Sequence, residues 1–284
     1  MSTVHVTWRN LIEFIAFLGY PTEMDPGCVQ VLALQGCKVT PSGAAAADIE
    51  VVSNVPDIYN DCLLCVGKTP KGAPLVIPFP GTVNPGKHYT QVEPHPQGAA
   101  NITFGLHEYV LGLHQGKEAL RAKNELNRIW RDKDGDFTVD PTEQVFVGVF
   151  GTNIHPGGRT EYVGKNSGGC LNVAGGWSGP WVQFLDLAKQ HLRLKASLPV
   201  VIWSASDLVG WLCAPDTFLP TVVPGVLGTW ATAVQAELRR HGSRLIVDGD
   251  WRAGTTAEVV VFQKKHGLLA DGIVGPKTWS YLLG

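Results

Sequence analysis

The chain has 284 residues, room for two domains when single domains cluster near ~100–150 residues. Hydrophobic residues make up 44% and charged residues only 17%, against a usual ~25%, which excludes disorder, a coiled coil or a collagen-like chain. Twenty-three Lys plus Arg against 25 Asp plus Glu leave a formal net charge of −2, without the basic excess that a nucleic-acid partner rewards, while 33 Gly and 19 Pro predict a fold rich in turns and loops.

In chain order, Leu11, Ile15 and Leu18 recur at helical spacing and predict an amphipathic helix within an N-terminal segment, residues 1–26. Glu13 interrupts this apolar run, and no small-x-small site follows in Pro21 to Asp25, so it does not read as a secretory signal. Action outside the cell of synthesis would then call for phage lysis or a secretion apparatus. No run approaches the ~18 apolar residues of a membrane helix, which predicts a soluble protein without a membrane span.

Six cysteines are too few for a disulfide scaffold at this length. Cys28, Cys37 and Cys213 read as small apolar fillers, and Cys62 and Cys65, spaced like a redox pair among apolar neighbours, read as two buried thiols. The apolar runs Leu75 to Ile77, Val145 to Phe150 and Val200 to Trp203, bounded by Gly and Pro, predict strands. Trp181 to His191 predicts a helix with Val182, Leu185 and Ala188 on one face and Pro180 near its start. The expected class is α+β, with a mostly antiparallel sheet over residues 27–215 and a few helices against it. Asp132-Lys133-Asp134-Gly135-Asp136 reads as a polar hairpin turn. Glu143 stands twelfth, as in a calcium loop, but glycine is fourth instead of sixth. His107 and His114 lack closely spaced zinc-ligand partners, and no metal or cofactor is expected.

A Pro-rich stretch from Pro215 to Gly228, nearly free of charge, predicts a linker at 216–225 and a domain boundary near residue 220. Beyond it, Asp248-Gly249-Asp250-Trp251 with Thr255 is echoed by Asp271-Gly272-Ile273-Val274-Gly275-Pro276-Lys277 with Thr278. Val234, Gln235 and Leu238 before the first turn, Val259, Phe262 and Gln263 between the turns, and Trp279, Leu282 and Leu283 at the end predict three helices. Each Asp-Gly marks a tight turn and each Thr a helix cap. These residues resemble the peptidoglycan-binding domain family appended to many bacterial cell-wall enzymes. The resemblance spans 226–284, with Arg252 where the family usually has Gly, and implies peptidoglycan as partner.

The candidate chemistry lies in Phe150-Gly151-Thr152-Asn153-Ile154-His155-Pro156 and in Asn166-Ser167-Gly168-Gly169-Cys170-Leu171-Asn172. A strand from Val145 is expected to carry His155 at its end, where Pro156 keeps the backbone extended. A cysteine with a free pKa near ~8.5 needs a base within hydrogen-bond reach, and His155 is the candidate for Cys170. The Gly169 and Cys170 N–H groups are candidate oxyanion donors. His114, between glycines, and Arg131 are supporting candidates, either to orient His155 or to grip a carboxylate, with Asn153 beside them.

His followed by Ser-Gly-Gly-Cys-Leu-Asn resembles the L,D-transpeptidase signature, His followed by Ser/Thr-His-Gly-Cys-x-Asn. The resemblance covers residues 145–173 and puts Cys170 on the nucleophile, His155 on the upstream base, and Ser167, Gly169 and Asn172 on flanking positions. Gly168 stands where a second His is common, and the loop from His155 to Ser167 is a few residues short. Either the pocket is built differently or the chemistry shifts toward hydrolysis. The resemblance implies thioacyl chemistry on peptidoglycan stem peptides: L,D-carboxypeptidase, exchange or 3–3 transpeptidase activity. A non-catalytic wall-binding protein and a Cys/His endopeptidase are the alternatives.

Overall fold

The computed structural model describes residues 3–55, 57–92, 95–125 and 127–284. The chain opens with β1 (Thr3–Thr7), α1 (Trp8–Phe17), β2 (Val29–Gln35), β3 (Cys37–Pro41), β4 (Ala46–Val51), β5 (Asp61–Lys68) and β6 (Pro74–Thr82). After them come β7 (Ala99–Ile102), β8 (Gly105–His114), β9 (Lys117–Ala122), β10 (Asn127–Asp132), β11 (Val145–Gly148), β12 (Ile154–Pro156) and β13 (Leu171–Val173). The rest is α2 (Pro180–Leu192), β14 (Leu198–Ser204), α3 (Ala205–Cys213), α4 (Thr229–Arg240), α5 (Ala253–Lys265) and α6 (Pro276–Leu282).

The fold is mixed α and β. Eight strands close into a barrel in the order β12-β13-β6-β5-β2-β14-β8-β9, sealed where Ile154 pairs with Leu120. Two of its pairings, β12 with β13 and β14 with β2, are parallel, and the others are antiparallel. Smaller sheets, β1-β4-β3 and β11-β10-β7, flank it.

Strand alternation explains the near-continuous apolar runs of β2 and β5, because successive side chains leave opposite faces and both faces are covered. Leu63 and Cys65 join a core cluster that draws on all eight barrel strands and is completed by α2. Cys62 and Leu64 face the second cluster, with α1, α3 and the C-terminal helices. Cys62 and Cys65 therefore point to opposite faces as buried free thiols, while Cys213, expected as an apolar filler, is exposed.

Local chemistry explains several boundaries. Helix α1 begins at Trp8, with Thr7 and Asn10 forming a reciprocal cap. In α2 the buried face is Trp181, Phe184, Leu185, Ala188 and His191, whereas Val182 is 47% exposed, so the stripe is rotated from the expected one.

The C-terminal helices share the second core. Trp279 donates its indole N–H to Pro220 O at 2.9 Å, Val222 bridges Val274, and Trp230 donates to Phe17 O. The Arg128 guanidinium on β10 pairs with Asp250 and donates to Gly225 O. The Pro-rich stretch is thus pinned from both sides.

The sequence echo has a shared hydrogen-bond core. Gln235 donates to Asp248, Asp250 O and Thr255 while accepting from the Asp248 and Gly249 N–H groups; Gln263 donates to Asp271, Ile273 O and Thr278 while accepting from Gly272. Thr255 and Thr278 are therefore not caps. They lie inside α5 and α6, whose caps are Arg252 and Gly275, and serve as acceptors for the two glutamines.

Candidate active site

Cys170 and His155 are delivered by adjacent barrel strands. The parallel β12–β13 register sets His155 opposite Asn172, with Cys170 immediately before β13. The strand that carries His155 is not the Val145 run. That run forms β11 and ends at Gly148, with Val147 and Val149 largely exposed, and the chain then turns into the barrel strand β12.

A positive φ of 125° carries the backbone through Gly169, where a Cβ would lie 2.5 Å from Ala100 O. Only glycine fits. At Gly168 a Cβ would meet the Tyr89 ring at 3.4 Å, an ordinary contact. Ser167 Oγ donates to Cys170 O at 2.7 Å and accepts the Gly169 N–H at 3.2 Å, tying the loop together. In this state the Gly169 N–H is committed to Ser167 and is not the free oxyanion donor the sequence suggested. The Cys170 N–H has no acceptor among the described residues.

The Cys170 thiol is buried and donates to Gly151 O at 3.3 Å. Burial pushes it up to about 11, only partly offset by the facing Asn153 backbone N–H. His155 donates from Nδ1 to Pro156 O at 3.0 Å, which leaves Nε2 unprotonated and facing the Asn172 amide at 3.3 Å. Burial first, and then the neighbouring His114, push His155 down to about 4. His114, on the β8–β9 hairpin, stacks flat on His155 with centroids 4.2 Å apart and planes 6° apart, and its Nδ1 meets the Asn153 amide at 3.0 Å. Arg131 reaches the same cleft over the Phe150 ring, its Nη1 donating to Gly98 O.

The cleft measures about 460 Å³ and contains Cys170, His155, His114, Arg131 and Gly168, all named from sequence. Asn153, Asn172, Ser167 and Gly169 stand just behind it in the hydrogen bonds given above. Tyr89, His95 and Lys165 also line the cleft and were missed, since nothing in their local patterns marks them.

Cys170, His155 and His114 bring one ligand atom each within 4.8 Å of one another. An imidazole binds a metal in its ring plane, and two planes stacked nearly parallel cannot both aim a lone pair at one ion. The trio in this arrangement does not fit a tetrahedral metal site. The carboxylates of Asp132, Asp134 and Asp136 also gather. Asp132 accepts the Gly135 and Phe137 N–H groups, and Glu143 those of Lys133 and Asp140. Phe137, sixth from Asp132, has a φ of 63°.

Comparison with known proteins gives partial matches. It is 35% identical over 85 residues to a zinc D-Ala-D-Ala carboxypeptidase of Streptomyces albus G, covering 29% of this chain, and it spans about a third of that relative's length, 33%. A Burkholderia AP3 phage endolysin structure matches at 44% identity over 22% of this chain and 24% of its own, with a TM-score of 0.22. The SleB N-terminal domain matches at 33% identity over 22% of this chain and 88% of its own, also with a TM-score of 0.22. No helix among the described residues is long and apolar enough to cross a membrane. Residues 231–282 match the family model described as a putative peptidoglycan binding domain, and the chain carries that domain at its C-terminal end.

Proposed function

We propose that this protein is a cysteine enzyme of the L,D-transpeptidase type that acts on peptidoglycan stem peptides and is held at the cell wall by its C-terminal domain. The observation that carries this reading is the convergence of the Cys170 thiol, neutral His155 and the stacked His114 in one cleft. The names of the matched relatives, a D-Ala-D-Ala carboxypeptidase and an endolysin, support cell-wall action.

The resting thiol and imidazole are both neutral, since burial disfavours each charged form. Attack therefore couples three events. The thiol leaves the Gly151 carbonyl, its proton passes to His155, and the sulfur bonds to the scissile carbonyl carbon. The Cys170 N–H then faces the developing oxyanion; one such donor contributes on the order of 3 kcal/mol in other enzymes. Collapse breaks the C–N bond, His155 returns its proton to the departing D-amino acid amine, and a thioester remains on Cys170. Water completes a carboxypeptidase cycle, and an amine completes exchange or cross-linking. Tethering by the C-terminal domain raises the local substrate concentration without new contacts at the cleft.

The test incubates the full chain and its Cys170→Ala variant with disaccharide-tetrapeptide and with cross-linked muropeptides and reads masses. Cys170-dependent loss of one D-alanine, or 3–3 dimers, is expected. Cleaved cross-links beside intact tetrapeptide would assign an endopeptidase instead. Unchanged muropeptides together with sacculus binding would leave a wall-binding protein without turnover.

A further inference from the structure

A second cleft, about 320 Å³, opens at the junction of the barrel and the C-terminal domain. It lies at the small end of the ~300–1,000 Å³ range of ligand pockets, which favour domain interfaces. Phe104, Trp130 and Phe137 supply aromatic wall, Gln35 and Asn54 supply amides, and Ile273 enters from the second Asp-Gly turn, inside the stretch that matches the peptidoglycan-binding family. Among the described residues, no Asp, Glu, Lys or Arg lines it.

The two amides are preset. Asn84, only 4% exposed, accepts from Gln35 Nε2 at 3.0 Å and donates to Asn54 Oδ1 at 2.7 Å. Asp61 Oδ2, 3.4 Å from Asn84 Nδ2, is an acceptor only, which fixes the direction of this chain. Gln35 Oε1 and Asn54 Nδ2 are left without partners among the described residues. One is an acceptor and the other a donor, and the amide chain through Asn84 immobilises both side chains.

We propose that this junction cleft binds a neutral N-acetylated sugar of the glycan strand. An acetamido group carries one N–H and one C=O, the complement of Gln35 Oε1 and Asn54 Nδ2, while its methyl and the sugar's C–H faces suit the aromatic wall. A charged stem peptide would leave its ions unpaired there. The inference rests on peptidoglycan as the partner and is independent of the chemistry at Cys170.

Calorimetric titration of the full chain carrying Cys170→Ala, with a β-1,4-linked N-acetylglucosamine tetramer and with the matching glucose tetramer, tests it. The N-acetylated probe binds at least tenfold more tightly than the glucose probe. Asn54→Asp, which turns the donor into an acceptor, and Thr138→Trp, which fills the mouth from an exposed position, each weaken it at least tenfold at unchanged melting temperature. Equal affinity for the two tetramers, no binding, or binding indifferent to both variants overturns the proposal. Sacculus co-sedimentation of the same proteins reports separately on peptidoglycan as partner: sacculus binding without tetramer binding sinks only the cleft.

Discussion

His114 lies face to face with His155, ring centroids 4.2 Å apart, although the two residues come from strands on opposite sides of the β9–β12 seam. Two imidazolium rings in that arrangement would repel, and burial penalises each charge further. Burial first, and then the stack, keep His155 neutral.

That relationship predicts a pH profile. Activity against tetrapeptide should fall only as His155 protonates near pH 4, and alkylation of Cys170 by iodoacetamide should climb toward pH 11 as the thiolate forms. In His114→Ala the acid limb should move up toward ~6.5, because water enters and the neighbouring ring is gone. An unmoved limb with intact folding would remove the electrostatic role of His114.

Stability carries the same signature. The folded pKa of His155 lies below its unfolded value, so the unfolded chain takes the proton first; stability is present above pH ~6.5 and is lost as pH falls toward 4. This group accounts for on the order of 3 kcal/mol at most. Urea unfolding of wild type and His155→Gln between pH 7 and 4 should show the shallower slope in the variant.

The glycine pair before Cys170 should separate by substitution. Gly169→Ala forces a Cβ against Ala100 O at positive φ and should cost about 1–3 kcal/mol, with activity lost. Gly168→Ala only touches the Tyr89 ring and should fold with wild-type stability. Thermal melts of the two variants check the contrast.

Gln235 and Gln263 each tie a turn to a helix through buried hydrogen bonds at nearly equivalent sites. Alanine at either position strands the turn's N–H groups and should lower stability by about 2–3 kcal/mol. Denaturant midpoints that shift by less than a quarter of that would show that water replaces the side chain.

Arg128 joins β10 to the C-terminal domain through Asp250, with both side chains mostly buried. Arg128→Ala leaves that carboxylate with Arg252 alone, strips the donor from Gly225 O, and should cost about 1.5–3 kcal/mol. Arg252, which stands where the resembled family usually has Gly, meets the other Asp250 oxygen from solvent at 2.6 Å, and its removal should leave the melting temperature unchanged.

Much of the candidate site is legible because its spacing is local. Cys170 with its glycines, His155 before Pro156, and the repeated Asp-Gly turns are all short-range patterns. The adjacent Ser167 and Gly169 were legible as positions, yet the Ser167 hydroxyl's capture of the Gly169 N–H was not, since that depends on the path of one loop in space. Leu185 and Ala188 of the expected α2 face are buried and Val182 is not, because apolar spacing leaves the centre of the buried stripe open. The Val145 run is the expected strand, but the chain turns after Gly148 and His155 lies on a new one, a path no local pattern gives.

The amino-acid order alone marks the C-terminal helical unit with its paired Asp-Gly turns and the α+β class, because repeated turns, helix stops and strand alternation are written in neighbouring residues. The closing of eight strands into a barrel, the parallel pairing that sets His155 against Asn172, and the hairpin that lays His114 on His155 emerge only in three dimensions. Those contacts join residues tens of positions apart. Their register is selected by which faces bury together across the whole barrel, a choice that no local pattern encodes.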